Sequence, residues 1–161
     1  MIKILSIITL LFLSSNSSLA TEKEEIRTAF IQASSNKDLR ESFLNRTSAF
    51  DSQSPFHKAY SGASKALMAD MFFNPYSKYV HFKEGTALID QAISIDPNNA
   101  ELRYIRFLIQ SKSPSFLGYN KQLKEDYTLI NAAINAAKTK ESWMTYFKKF
   151  LVENPALTKD L

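Results

Sequence analysis

A chain of 161 residues with no cysteine cannot form disulfides, thiolate metal sites, cysteine nucleophiles or a cysteine-linked lipid anchor. Its 20 Lys and Arg against 16 Asp and Glu give a net charge of +4 that is spread along the chain, whereas a nucleic-acid binder gathers its charge into a basic face. Only Lys148 and Lys149 cluster, as the solvated face of a helix, so no nucleic-acid partner is expected.

At the N-terminus Lys3 precedes an apolar run from Ile4 to Leu13, then a polar Ser14 to Ser18 stretch and small residues at Ser18 and Ala20. A run this short does not span a bilayer, and the pattern is that of a cleavable secretory signal over residues 1–20, cut before Thr21. The expected product is one soluble domain, residues 21–161, periplasmic or secreted, with no stable membrane insertion; 141 residues suit a single core.

Apolar residues then return at three- and four-residue steps, which predicts an all-α domain of about seven helices. Helix one, about 22–35, gathers Ile26, Phe30 and Ala33, and helix two, about 37–50, gathers Leu39, Phe43 and Phe50. Ser54 and Pro55 read as the N-cap and first position of helix three, which runs to about Phe73. Its face is Phe56, Tyr60, Ala63, Leu67 and Met71, beside a small-residue stripe of Ala59, Gly62, Ala66 and Ala69 that invites close approach by a neighbour. Asn74-Pro75 reads as its stop, followed by an amphipathic helix four over about 78–95. Asn98 with Glu101 three residues on has capping-box spacing and opens helix five. Helix six, about 121–138, buries Leu123, Tyr127, Ile130, Ile134 and Ala137; helix seven, about 141–152, presents Trp143, Tyr146, Phe147 and Phe150 and caps the stack.

Phe82 to Gly85 and Ala92 to Asn99 resemble the second helix and closing turn of a tetratricopeptide repeat, covering about one degenerate repeat over residues 69–99. Pro97 stands as the repeat's proline; Ala92, Ile89, Gly85 and Tyr76 meet its packing requirements, while Phe73 and Ala69 depart from the first helix's usual Gly and Trp. The resemblance implies antiparallel helix pairs in a right-handed stack. Asn74-Pro75, Glu101 to Arg106, Pro114 to Tyr119 and Glu125-Asp126 together resemble a group of short secreted uncharacterised proteins of Bacteroidetes-type bacteria, a likeness that implies export and no catalytic residues.

Catalytic chemistry finds few footholds. Three glycines, Gly62, Gly85 and Gly118, give no phosphate-cradling loop. His57 and His81 lie on different helices without a second ligand at zinc-helix spacing; His81 reads as a satisfied core residue and His57 as solvated. The acid pairs Glu24-Glu25 and Glu125-Asp126 diverge by about 100° on a helix rather than facing each other across a cleft. No metal, cofactor or enzymatic role is expected, and Asn45-Arg46-Thr47 is a chance glycosylation match.

The exception is helix five, where Arg103, Arg106 and Gln110 form a polar strip while apolar residues cover the rest. Such a strip is either satisfied internally, with Asp126 and Asp70 as candidate partners, or lines a groove. In the groove reading Arg103 and Arg106 clamp a carboxylate or peptide C-terminus, with Phe116 and Tyr119 as apolar walls. The functional expectation is a helical scaffold that binds a protein or peptide of the cell envelope, by analogy of fold. The alternatives are a binder of a small acidic ligand through Arg103 and Arg106, then an enzyme of unrecognised type.

Overall fold

Asparagine and serine side chains set where the helices begin. Ser54 accepts from the backbone N–H of His57 ahead of Pro55, Asn74 accepts from Tyr76 and Ser77 ahead of Pro75, and Asn99 accepts from Glu101 and Leu102. In the computed structural model the backbone is described for residues 2–51 and 53–159, and side chains for residues 19–51 and 53–159. The helices are α1 (Ile2–Ser35), α2 (Arg40–Thr47), α3 (Pro55–Met68), α4 (Pro75–Ile95), α5 (Ala100–Lys112), α6 (Leu123–Ala136), α7 (Ser142–Glu153) and α8 (Pro155–Lys159). Short 3-10 turns occupy Lys37–Leu39, Ala69–Met71 and Ser115–Leu117, and no strand occurs among the described residues, so the fold is all-α.

Several boundaries differ from those read in the sequence. Asn74-Pro75 opens α4 rather than closing α3, which already ends at Met68; the two residues cap and start a helix by the same chemistry that breaks one. Asn99, not Asn98, caps α5, and α8 is an additional short helix after Asn154. Because α3 stops early, Ala69 lies in a 3-10 turn and Phe73 in the linker, so these two first-helix positions of the tetratricopeptide register are not on an α-helix, while Tyr76 is on α4. The signal reading of residues 1–20 lies almost wholly outside the described side chains. Among the described residues no helix is long and apolar enough to cross a membrane.

α3 and α4 pack backbone to backbone. A Cβ added at Gly62 would lie 2.5 Å from the Gly85 carbonyl oxygen and 2.9 Å from Ile89 Cγ1, so only glycine permits this approach. α5 is enclosed on all sides: every residue from Ala100 to Gln110 is buried. Around it an aromatic seam links the elements, with Phe30 of α1 against Phe43, Tyr60 and Tyr104, and Tyr104 and Phe107 of α5 against Phe147 of α7. Leu39, Met71 and Ala137, expected inside, are exposed, because each falls in or beside a turn or helix end.

Candidate functional site

The polar strip of α5 converges on a single acceptor. Asp126, fully buried in the first turn of α6, receives Arg106 Nε and Nη2, each at 2.7 Å, Arg103 Nη1 at 3.0 Å and Gln110 Nε2 at 2.8 Å. The carboxylate's four bonds come from three successive turns of one helix face, which is why 103, 106 and 110 are the positions used. Arg103 also reaches Glu125 at 2.8 Å and the Pro97 carbonyl at 3.1 Å; Arg106 also reaches Asp90 at 3.3 Å. Burial works against the Arg106 charge, but hydrogen bonding and the charge of Asp126, then of Asp90, outweigh it and push its pKa up. Asp70, the other suggested partner, instead pairs with Arg40 at 3.0 Å.

The two aromatic residues assigned to the same site separate. Tyr119 packs edge-on against Phe82 and donates to Asp90 at 3.1 Å, so it joins the network through the acid shared with Arg106. Burial, then the Asp90 charge, raises its pKa. Phe116 points away, 85 % exposed, and lines a different cavity. Arg103, Arg106, Gln110, Phe116 and Tyr119 therefore do not form one groove.

A second buried carboxylate centre has no counterpart in the sequence reading. Arg27 of α1 forks onto Glu101, Nε to Oε1 at 2.7 Å and Nη2 to Oε2 at 2.8 Å, and Tyr60 of α3 donates to the same Oε1 at 2.8 Å. Arg27 Nη2 also reaches Glu141 at 3.0 Å, whose other oxygen takes the Trp143 indole N–H at 2.7 Å. Burial and then the Glu101 charge hold the Tyr60 hydroxyl well above its ordinary pKa. Glu101 is thus a strut joining α1, α3 and α5 and not a capping-box partner. Arg27 stands about 60° outside the apolar arc of Ile26, Phe30 and Ala33, so periodicity did not mark it.

The cavity that Phe116 lines, about 360 Å³, lies where the ends of α3 and α5 meet the start of α4. Its apolar wall is Ala66, Leu67, Phe82, Ile109 and Leu117; Pro75 and Pro114, which lack an N–H, border it. Its charged groups are Arg40, Lys78, Lys112 and Asp70. Arg40 donates to the Ala33 and Leu67 carbonyls at 3.3 and 3.0 Å, and Lys112 Nζ to the Ser34 carbonyl at 2.8 Å, so both cations serve open carbonyls in the last turns of α1 and α3. Of the large apolar side chains that stand exposed, Met71, Phe73, Tyr76, Tyr79 and Phe116 belong to the two segments that rim this cavity. Sequence reasoning found Phe116 and missed the rest, which comes from α2, α3, α4, α5, two 3-10 turns and the connection after α5.

Each histidine stacks on a phenylalanine. His57, expected in solvent, is half-buried, stacked on Phe50 at 4.7 Å with Nδ1 buried, and His81 is half-buried and stacked on Phe72 at 4.1 Å. No group of acids and histidines that could hold a metal ion occurs among the described residues. Compared with protein-family models, curated proteins and solved structures, the chain matches none.

Proposed function

We propose that this chain is an exported helical binding module that captures a protein or peptide of the cell envelope at the aromatic rim around the α4 start and the α5–α6 connection. The observation that carries the reading is the concentration of exposed aromatic surface there: Phe73 is 101 % exposed, Phe116 85 % and Tyr76 75 %. Large exposed apolar groups gathered on one face mark interaction surfaces, and aromatic side chains supply a disproportionate share of binding energy at such interfaces. What supports a tetratricopeptide-like reading of the scaffold is the close α3–α4 hairpin with Gly62, Ala66 and Gly85 at its contact; the turn at Ala69–Met71 departs from that register. Export rests on the N-terminal sequence pattern.

The test is crosslinking in intact cells with identification of captured proteins, run with wild type and the double variant Phe73→Ser, Phe116→Ser. One partner enriched with wild type and reduced at least tenfold with the variant supports the proposal; both residues are exposed, so the fold stays intact. Equal capture by both proteins, or capture of none, overturns it.

A further inference from the structure

The cavity beneath that rim carries two lysines that no carboxylate pairs among the described residues. Arg40 is matched by Asp70 and two carbonyls. Lys112 gives one of its three donors to Ser34 and lies over the Phe150 ring at 5.8 Å, but has no carboxylate in ion-pair range among the described residues; neither has Lys78. Burial pushes the Lys112 pKa down, with Tyr146 working against that shift and Arg40 adding to it. An anion between Lys78 and Lys112 would relieve the repulsion and answer both ammonium groups.

The walls restrict what that anion can be attached to. A volume of about 360 Å³ falls in the range of small-molecule sites. A peptide entering it would bring amide groups against Leu67, Phe82, Ile109 and two prolines, where they would be desolvated without partners. A hydrocarbon body carries no such penalty. A phosphate dianion favours a free guanidinium fork or a nest of backbone N–H groups. Arg40 is already engaged, and Asn74 closes the N-terminal N–H groups of α4.

We infer that this cavity binds a small amphipathic monocarboxylate, its apolar body between Leu67, Phe82, Ile109 and Leu117 and its carboxylate between Lys78 and Lys112. The inference goes beyond capture of a protein at the rim and does not rest on it.

Calorimetric titration of the purified chain with dodecanoate, dodecanol and dodecyltrimethylammonium, all below their micellar concentrations, tests it. Dodecanoate binds at least tenfold tighter than either control, and affinity rises about fourfold per methylene from octanoate to dodecanoate as the chain enters the apolar wall. Lys78→Glu, an exposed position, weakens dodecanoate at least tenfold without moving the melting midpoint. Lys112→Met, which keeps the apolar stem, also weakens dodecanoate at least tenfold, and its melting curve separately reports the loss of the Ser34 contact. Equal binding of the cationic or neutral chain, or wild-type affinity in Lys78→Glu, overturns the inference. Failure here leaves the Phe73 and Phe116 capture result standing, so the two readings fall separately.

Discussion

Replacing Arg106 by alanine removes two of the four hydrogen bonds to a carboxylate with no exposure to solvent. Hydrogen bonds to charged groups contribute about 1.5–3 kcal/mol each, which brackets the loss at about 3–6 kcal/mol. Arg103 and Gln110 still hold Asp126, at 3.0 and 2.8 Å, so the remaining charge is not wholly unpaired and the lower half of that range applies. The expected cost is about 3–4 kcal/mol, close to that of breaking a buried ion pair from one side and a large share of a stability of about 5–15 kcal/mol. Urea denaturation at neutral pH reads this as a midpoint lowered by about 1–3 M at unchanged slope. Adding Asp126→Leu to Arg106→Met should not recover the loss, since the buried Arg103 and Gln110 then lose the acceptor they share. A change within about 0.5 kcal/mol for Arg106→Ala refutes the reasoning and makes α5 a recognition surface rather than a strut.

Gly62→Ala should destabilise by about 1–3 kcal/mol despite alanine's better helix propensity, because the new methyl meets the Gly85 carbonyl at 2.5 Å; a stabilised variant in thermal melts would mean that α3 and α4 stand further apart. Ile89→Ala, at a fully buried position on α4, should cost about 2–5 kcal/mol in the same urea assay, and a surface-like value would contradict its place in the core. Tyr60, Tyr104 and Tyr119 have raised pKa values in the fold, so the stability they hold is complete below pH 10, the unfolded value, and is lost as pH rises above it. Tyr60→Phe should flatten that alkaline decline, and an unchanged slope would show that Tyr60 is not part of it. N-terminal sequencing of exported material should begin at Thr21 or within about two residues of it, whereas a retained Met1 in a membrane fraction contradicts the signal reading.

Much of the helical content was legible because spacing at three and four residues is a local property. Ile89, Ala92, Ile130, Trp143 and Phe147 all lie inside as their periodicity requires. Boundaries were harder where one dipeptide has two uses: Asn74-Pro75 ends or begins a helix according to which neighbouring segment takes the helical backbone. The α5 strip was visible since a polar face on a helix apolar elsewhere must be answered by something nearby in sequence, and Asp126 is. The role of Glu101 was hidden, because Arg27 stands 74 residues away and Tyr60 41, and no local pattern joins them. The cavity was illegible for the same reason: Arg40, Lys78 and Lys112 meet only when three helices have packed.

The fork of Arg27 onto Glu101 and Glu141 also sets an order of events. Arg27 leaves the ribosome 114 residues ahead of Glu141, a lag of about 6–23 s at ordinary synthesis rates of about 5–20 residues per second. In that interval α1 can meet α2 and α3, but for the first 74 residues its guanidinium has only Glu24 of its own helix, and until Glu141 follows it has Glu24 and Glu101. The seating of the first helix against α7 is a long-range closure of the kind that slows folding of an otherwise locally connected helical protein.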